Sequence, residues 1–464
     1  MRRAFLLGLV VVAVVAGPVF AQERPPIDTV VVVMQEDRTF NNYFGTYPGA
    51  NGWPEGFTMP LDPLDSSDGG VAPFKLDRTR TPSLPHSAKA MVRAFNEGAM
   101  NGFIDSAETY GASDGSLAMG YYDYRDIPFY WHLADEYVLA DNWFSSVMGP
   151  SFPNHLYLFA ATMSGPNGER YTSVPAEGLD VLTIFDRLEE AGVSWKVYVQ
   201  GFDPTATFRS TEARLGLTDT AAQLIWVPLV GIPRFVDDPV LSSKIVDLSE
   251  YFIDAAKGEL PSVAMITPSG LSEHPPGDLK LGHFFAVDLL EALMLSAQWE
   301  RSAFILTWDE WGGWADHVAP PQVDEDGYGM RVPGLIVSPY AKRGYVDSTL
   351  YDHTSVLATI EWLFDVEPLS SRDANALPFE NAFDFTQPPR PAVLPASEYV
   401  PDEEAPPELP LGVLNTVYAV VFGALALAPL AAWVRFRLDS RRAPIREIVL
   451  EFDRRGSLRE EGDE

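Results

Sequence analysis

The sequence predicts an α/β protein in which a largely parallel central sheet is flanked by helices and one transmembrane helix follows near the C terminus. The first observation is that apolar strand-like runs alternate with helix-like runs between residues 27 and 395. The second is the composition, because 464 residues that are 46% hydrophobic and 12% aromatic can bury a large core. The third is a charge-free apolar run at residues 411–434 that is long enough to cross a bilayer.

The elements of the domain are predicted from the spacing of their apolar residues. Continuous apolar runs bounded by turn-forming residues are typical of buried strands, and they occur at residues 28–34, 194–200, 261–267, 302–308 and 332–338. Apolar residues spaced for one buried helical face occur at residues 179–192, 282–299 and 353–364. Residues 48–83, which are rich in Gly, Pro and Asp, predict a long surface excursion, and residues 201–245 predict a smaller cap-like insertion.

Both ends of the chain carry membrane-targeting signals. Residues 1–21 have a basic start, an apolar stretch and a small-residue exit, which predicts a signal peptide cleaved after Ala21. The main domain (22–384) and a Pro- and acid-rich stalk (385–410) precede the transmembrane helix (411–434) and a tail (435–464). Acidic residues precede the span and arginines follow it, so the positive-inside rule predicts a cytoplasmic tail. We therefore expect a single-pass cell-membrane protein with a periplasmic or extracellular main domain. A buried core helix at 411–434 is the alternative, which the flanking sequences disfavour.

Charge and cysteine content exclude some partners. The chain has 33 Lys and Arg against 65 Asp and Glu, a net charge of −32, and such a surface repels nucleic acid and anionic membranes. Solubility in a demanding medium explains this acidity better than one specific partner does. Cysteine is absent, so the stability of the main domain depends on core size or bound metal and not on disulfides.

Polar residues follow four of the predicted strands, where ligands bind in open α/β sheets. They are Glu36 and Asp37, Glu273 and His274, Asp309 and Glu310, and His353 at the start of a helix. Adjacent carboxylates at low dielectric repel each other unless a cation lies between them, so the two acidic pairs predict a divalent metal ion. An all-oxygen ligand set favours Ca²⁺, Mg²⁺ or Mn²⁺ over zinc. The alternative is that both pairs are solvated loop acids, which the accompanying histidines disfavour.

Ser151 is the candidate nucleophile. It follows Gly149 and Pro150 at the start of a helix-like run, where the helix dipole and free backbone N–H groups favour a reactive hydroxyl and a bound anion. An ordinary N-cap serine is the alternative for this stretch alone. Histidines in polar contexts are further candidates for the site, namely His86, His155, His274, His317 and His353. His132 and His283 lie in apolar helical surroundings, which predicts core or surface positions.

Seven motifs occur in order along the chain: TVVVVMQEDRTFNNYFGTYPGANG, SLPHSAKAMVRAFNEGAMNGF, MGYYDYRDIPFYWHLADEYVLADNWFSSVMGPSFPNHLYL, SEHPP, TWDEWGGWADHVAPP, YGMRVPGLIVSPYAKRGYV and YDHTSVLATIEWLF. Together they resemble the bacterial phosphoesterase family, which includes phosphatidylcholine-type phospholipases C and a class of acid phosphatases. The resemblance covers nearly all of residues 27–380 but not the stalk, the span or the tail. It implies an alkaline-phosphatase-like fold and a hydrolase acting on phosphoric ester bonds.

The resemblance also implies a role for each matching residue. The implied ligands of one divalent metal ion are Glu36, Asp309, Glu310 and Ser151, and Ser151 is also the implied nucleophile. The implied catalytic histidines on the phosphate side are His86, His274 and His353, and the further site candidates are His317, Asn154 and His155. Asp37 stands where the family usually has asparagine. We expect it to contribute to the metal site, as a protonated mimic of the amide or as a tighter ligand, unless it marks a weakened enzyme.

The expected function is therefore a membrane-anchored, outward-facing phosphoester hydrolase. The serine would form a phosphoseryl intermediate, and a histidine would protonate the leaving alkoxide. The substrate is either a phospholipid, which membrane tethering favours, or a soluble phosphomonoester, which the acidic exterior favours. A non-catalytic cell-surface receptor on the same fold is the alternative function, since the arginine-rich tail is suited to an unidentified cytoplasmic partner.

Overall fold

The computed structural model describes residues 24–393 of the chain. The predicted signal peptide, transmembrane helix and tail, with most of the predicted stalk, lie outside these residues. Within residues 24–393, none of the helices has the length and apolar character needed to cross a membrane. The described residues correspond to the predicted main domain.

The described residues form fourteen strands and fourteen α-helices. The strands are β1 (Thr29–Gln35), β2 (Met59–Asp62), β3 (Asp65–Val71), β4 (Phe74–Lys75), β5 (Gly120–Tyr121), β6 (Val138–Ala140), β7 (Trp143–Phe144), β8 (Trp195–Val199), β9 (Ile245–Asp247), β10 (Val263–Thr267), β11 (Ser302–Trp308), β12 (Gly334–Val337), β13 (Tyr345–Asp347) and β14 (Tyr351–Asp352). The helices are α1 (Phe40–Phe44), α2 (Ala88–Phe95), α3 (Phe103–Thr109), α4 (Pro128–Glu136), α5 (Ser151–Ala160), α6 (Ile184–Ala191), α7 (Thr211–Arg214), α8 (Gln223–Trp226), α9 (Pro233–Asp237), α10 (Pro239–Ser242), α11 (Ser249–Lys257), α12 (Leu279–Met294), α13 (His353–Phe364) and α14 (Ser371–Asn375). Short 3₁₀ helices lie at Asn96–Gly98, Gly115–Met119, Pro228–Gly231, Trp299–Arg301 and Phe379–Ala382.

Eight strands make the central sheet, in the order β13-β6-β12-β11-β1-β10-β8-β9. β1 lies in the interior of the sheet and pairs in parallel with β11 on one side and β10 on the other. β8 and β9 continue the parallel part, whereas β12 runs antiparallel to both of its neighbours. All seven residues of β1 are buried, as expected for a strand covered on both faces. The predicted α/β class, with a largely parallel sheet and flanking helices, is confirmed.

The direction of β12 corrects one step of the sequence analysis. The strand predicted at 332–338 exists, but because it is antiparallel its carboxyl end lies at the edge opposite to the ends of β1 and β11. The connecting residues 309–333 contain no helix that would carry the chain back across the sheet, so the next strand starts at the edge where β11 ends. His353 therefore follows β14, a two-residue strand that pairs with β7 outside the central sheet, and not the end of the predicted strand.

Two irregular stretches turn out to have structure of their own. Residues 48–83 are not a plain surface excursion, because β2 and β3 pair in an antiparallel hairpin. An Asp-Pro turn joins the two strands, and the Leu64 N–H donates to Asp62 Oδ1 at 2.8 Å. Residues 201–245, which we call the cap, contain the short helices α7 to α10, and α8 packs against α5. The cap thereby lies beside the helix that begins with Ser151.

The packing of α13 against α14 predicts a pH-dependent stability. Glu361 on α13 is buried, and this burial, followed by a hydrogen bond with Asp373, raises the pKa of Glu361 to about 9, although Arg187 acts in the opposite direction. The protonated form therefore stabilises the fold, fully below the unfolded pKa of about 4.4 and no longer once pH rises through the folded value. We expect Glu361→Gln to gain Tm relative to the wild type as pH rises from about 5 to about 9, in melts followed by circular dichroism. A Tm difference that does not change with pH would contradict this.

Candidate active site

The two acidic pairs meet because β1 and β11 are neighbours in register. Gln35 pairs with Trp308 at the ends of these strands, so the residues that follow emerge side by side. We call them the carboxylate cluster: Glu36, Asp37, Asp309 and Glu310. The Asp309 N–H donates to the Gln35 carbonyl at 2.9 Å, and the Asp37 N–H donates to Asp309 Oδ1 at 3.0 Å. Each of the four residues is at most 1% exposed.

A left-handed turn at Asp37 shapes the cluster. Asp37 has a φ of 64°, and a Cβ on Gly312 would lie 2.5 Å from the Asp37 carbonyl oxygen, so the close approach requires glycine at 312. Arg38 holds this turn, because Nη1 donates to the Asp37 carbonyl at 2.8 Å and Nη2 donates to the Glu273 carbonyl at 2.7 Å. The buried guanidinium thus ties the loop after β1 to the loop after β10, which carries His274.

The pKa values of the four buried carboxyl groups of the cluster are shifted from their ordinary values. Burial, and after it the neighbouring carboxylates, raise the pKa of Glu36, Asp309 and Glu310 well above their ordinary values. Burial also acts to raise the pKa of Asp37, but two facing histidines outweigh it and the pKa lies below the ordinary value. The role of Asp37, as an amide mimic or as a metal ligand, stays a prediction.

The residues of the cluster fit a divalent cation. Several buried carboxylate oxygens have no hydrogen-bond donor within residues 24–393: both oxygens of Asp37, Asp309 Oδ2 and Glu310 Oε1. Buried charge without a partner is costly, and one cation can coordinate several of these oxygens. The ligand atoms fall into three overlapping groups, each within 4.8 Å: Glu36, His155 and Asp309; Asp37, Asp309 and Glu310; Asp37, His86 and His274.

Ser151 lies beside the cluster at the first position of α5. Pro150 occupies the N-cap position and makes no side-chain cap, so the hydroxyl of Ser151 does not have the ordinary capping role. Ser151 Oγ donates instead to Glu36 Oε2 at 3.2 Å, and the residue is 9% exposed. The hydroxyl therefore lies between a cluster carboxylate and the cavity described below.

Asn154 and His155 support this arrangement from one turn further along α5. His155 Nε2 lies 2.8 Å from Glu36 Oε1, and burial lowers the pKa of His155 to about 4, so a neutral ring is hydrogen-bonded to the Glu36 carboxyl group at neutral pH. Asn154 Oδ1 accepts from the Val147 N–H at 3.1 Å, and its amide donates to the Gly149 carbonyl at 3.0 Å. Both residues thus position Glu36 or the loop before Ser151.

His86 and His274 line the cavity next to Asp37 of the cluster. Their Nδ1 atoms lie 2.7 Å from the Leu84 carbonyl and 2.5 Å from the Pro275 carbonyl, respectively, so each ring donates at Nδ1 and presents Nε2 to the site. Their ring centroids are 5.7 Å apart. His274 Nε2 lies 3.3 Å from Asp37 Oδ2. The structure therefore brings these two predicted histidines together with Asp37.

His353 and His317 lie elsewhere. His353 is fully buried, with Nε2 2.8 Å from the Asp309 backbone carbonyl and Nδ1 accepting from Trp143 Nε1 at 3.4 Å. Both nitrogens are engaged, so this ring braces Asp309 and does not face the phosphate side as predicted. His317 Nδ1 lies 2.7 Å from the Asn41 side-chain amide and belongs to none of the three ligand groups. These placements differ from the expectation that both rings serve the site directly.

A cavity of about 570 Å³ opens above the site. Its floor contains Glu36, Ser151, His86 and His274. One wall comes from the cap and is mainly apolar, with Leu224, Ile225 and Trp226 of α8. Sequence reasoning missed these three residues, because no motif marks them and only the packing of the cap on α5 brings them to the site.

A serine hydroxyl hydrogen-bonded to one of several buried carboxylates that require a cation is what metal-assisted transfer of a phosphoryl group needs. The fold is that of an α/β protein, and the site combines a serine hydroxyl with a carboxylate cluster that can hold a metal ion. The model of the Phosphoesterase family matches residues 27–367, so the chain belongs to that family. The resemblance noted in the motifs is confirmed.

Curated relatives agree with the family. Phospholipase C A of Mycobacterium tuberculosis is 30% identical, over 87% of this chain and 85% of that protein. Non-specific phospholipase C6 of Arabidopsis thaliana is 29% identical, over 83% of this chain and 78% of that protein. Non-hemolytic phospholipase C of Pseudomonas aeruginosa is 29% identical, over 78% of this chain and 58% of that protein. The chain is accordingly a hydrolase acting on phosphoric esters.

Solved structures resemble the chain only distantly. A protein in the Alkaline Phosphatase Superfamily from Vibrio parahaemolyticus is 12% identical over 75% of this chain and 68% of that chain, with a TM-score of 0.36. A superposition of this quality carries no argument about the site.

Removing the cation should destabilise the protein. With the carboxylate cluster left uncompensated, we expect a chelator to lower Tm and an added divalent ion to restore it, because a ligand at about 100 times its Kd stabilises a fold by about 2.7 kcal/mol. Differential scanning calorimetry with Ca²⁺, Mg²⁺ and Mn²⁺ measures the shift. Asp309→Asn is the variant that should lose most of it, and a wild-type Tm indifferent to chelator and to every ion would contradict the metal site.

Proposed function

We propose that this protein is a membrane-anchored, outward-facing phospholipase C that uses Ser151 as its nucleophile and one divalent cation. The observation that carries the proposal is the 3.2 Å hydrogen bond from Ser151 Oγ to Glu36 at the floor of the cavity. Export and anchoring rest on the sequence alone, through the signal-like residues 1–21 and the apolar run 411–434 with its basic flank. Phospholipid as substrate is supported by the relatives named phospholipase C.

The proposed reaction begins with attack of Ser151 Oγ on phosphorus. The hydrogen bond to Glu36 holds Oγ at the cavity floor, and the N terminus of α5 directs its dipole at the incoming phosphate. A new O–P bond forms at Ser151 while the P–O bond to diacylglycerol breaks, which leaves a phosphoseryl enzyme carrying the head group. Water then releases the phosphorylated head group and regenerates the serine.

The surrounding residues divide the remaining tasks. A divalent cation bound by the carboxylate cluster would polarise the phosphoryl group and favour the serine alkoxide. His86 and His274 are bound to carbonyls at Nδ1, so any proton that either ring gives to the leaving oxygen is exchanged at Nε2, the nitrogen that faces the cavity. His155 and His353 act from outside the cavity, by fixing the Glu36 carboxylate and the Asp309 backbone.

The cavity wall favours a lipid over a small phosphomonoester. Leu224, Ile225 and Trp226 offer apolar surface in the same cavity as the nucleophile, where the diacylglycerol chains of a bound phospholipid can lie. The diacylglycerol of a phospholipid buries apolar surface there at about 25 cal/mol per Å², whereas a small soluble ester gains little from such a wall. We therefore propose a phospholipid, rather than a soluble phosphomonoester, as the substrate.

Replacing the nucleophile should abolish turnover. We expect Ser151→Ala to lower kcat by at least about 1,000-fold on phosphatidylcholine and on p-nitrophenylphosphorylcholine, because the covalent route is lost. Acid-quenched wild type should carry a head-group phosphate on Ser151 by mass spectrometry, and the variant should not.

The matched control is Ser173→Ala, which removes another hydroxyl from the cavity lining. Near-normal rates for Ser151→Ala would end the assignment, and a wild type inactive on all esters with every divalent ion would favour the receptor alternative.

The cap wall should set the preference for lipid. We expect Ile225→Asp to lower the ratio of phosphatidylcholine to p-nitrophenylphosphorylcholine turnover by about tenfold or more, since an apolar contact at the cavity wall is replaced by a charge that an acyl chain would have to desolvate. Leu295→Asp, at a leucine that is 74% exposed and outside the cavity lining, is the control. An unchanged ratio in Ile225→Asp would show that the leaving group does not lie against the cap.

A further inference from the structure

The cap carries an exposed apolar tip at the mouth of the cavity. Leu215 and Leu217 are 66% and 70% exposed. They flank Gly216, which has a φ of 70° and open space around its Cα, so the tip is a tight turn that projects outward. Gly216 and Arg214 both line the cavity whose floor contains Ser151. Two large apolar side chains therefore stand in solvent where a substrate must enter.

Apolar surface continues from this tip into the site. Ile225 lines the cavity and is 40% exposed, and the neighbouring Leu224 lines it and is 5% exposed. A lipid leaving its bilayer at the tip would thus remain in contact with apolar side chains on the way to Ser151. Scattered exposed leucines are ordinary on a protein surface, but apolar residues that continue into a substrate cavity are not.

The charge of Arg214 and the net charge of the chain indicate which kind of membrane surface the tip can bind. Arg214 Nε is buried without an acceptor within residues 24–393, and Arg214 Nη2 makes only a 3.3 Å contact with Thr211 Oγ1. The η nitrogens of this half-buried guanidinium, unlike the buried Nε, can donate to lipid phosphate oxygens at the mouth, a geometry that arginine suits. The chain as a whole has a net charge of −32, which repels an anionic membrane. A zwitterionic phospholipid surface satisfies both conditions.

We propose that residues 214–217, which we call the RLGL loop, dock the cap onto a zwitterionic phospholipid surface and hold the cavity mouth against it. Leu215 and Leu217 enter the acyl boundary, and Arg214 stays at the level of the head groups. The inference rests on the proposed function, because only a lipid substrate requires the mouth to meet a bilayer. The predicted anchor at 411–434 would bring the domain to the membrane, whereas the loop would orient it.

The chain offers a matched reference position. Leu295 is 74% exposed and follows the last turn of α12. That helix starts after β10, at the edge of the sheet that carries the site, and runs back toward the start of β11 at the opposite edge. Leu295 therefore lies away from the cavity mouth, although it is about as exposed as Leu217.

The first test reads docking directly. The chain contains no cysteine, so Leu217→Cys and Leu295→Cys each accept a single environment-sensitive fluorophore in the full-length protein. In nanodiscs of phosphatidylcholine with a doxyl-labelled phosphatidylcholine as quencher, we expect the label at 217 to shift to the blue and to be quenched, and the label at 295 to be unaffected. Quenching at both positions, or at neither, would overturn the proposal. Replacing part of the lipid by phosphatidylglycerol should weaken the signal at 217 at low salt, and added salt should restore it.

The second test reads the consequence for turnover. We expect the Leu215→Ser/Leu217→Ser double variant to lose about tenfold in turnover of phosphatidylcholine in nanodiscs and to keep its rate on water-soluble p-nitrophenylphosphorylcholine, with Leu295→Ser unchanged on both. An unchanged lipid rate, or equal losses on both substrates, would overturn docking. A wild type that hydrolyses neither substrate but is quenched at 217 would overturn the proposed function and leave docking supported.

Discussion

Burial of four carboxylates at the ends of two adjacent parallel strands is the constraint on which the site depends. The register of β1 and β11 fixes it, because a slip of one residue would turn these acids to other faces. Backbone donors offset part of the cost: the N–H groups of Asp37 and Glu310 both donate to Asp309 Oδ1, at 3.0 and 2.7 Å. The oxygens that remain without donors within residues 24–393 are the ones that a cation can coordinate. The register of the sheet thus leaves buried carboxylate oxygens without donors from residues 24–393, at a position where a cation can bind.

The loop after β10 is fixed from behind by a buried acid that never reaches the cavity. Glu273 Oε2 accepts from Tyr43 Oη at 2.6 Å and from Trp308 Nε1 at 2.9 Å, and Oε1 accepts from Tyr130 Oη at 2.5 Å. Arg38 completes this arrangement through the Glu273 carbonyl. Because Glu273 turns into these rings, the next residue, His274, turns toward Asp37. Of the two polar residues that follow β10, Glu273 therefore stabilises the loop and His274 faces the site.

Elements whose position follows from a local sequence pattern were predicted correctly. Elements whose direction depends on the path of a connecting loop were not. Apolar runs that end in acids located β1 and β11 and the edge at which Glu36 and Asp309 meet. The same reasoning could not give the direction of β12, because an apolar run reads alike in both directions and only the loop from residue 309 to 333 sets it. The position of His353 was not predictable either, because the residue follows β14 and is buried against the Asp309 carbonyl. The cap wall carries no motif, so its contact with the site appears only in the packing of α8 on α5.

The acidity of the chain bears on its proposed substrate. A net charge of −32 raises the work of bringing a phosphomonoester dianion to the cavity, whereas a phosphocholine head group carries no net charge and approaches without that penalty. Inside the cavity the balance differs, because Arg214, His86 and His274 line it together with the single carboxylate of Glu36. Long-range repulsion of anions is therefore consistent with the proposed phosphodiester substrate, whose head group compensates its own charge. In that proposal the apolar cap would add affinity for the lipid side of the same molecule, so charge and hydrophobicity would act on one substrate class together.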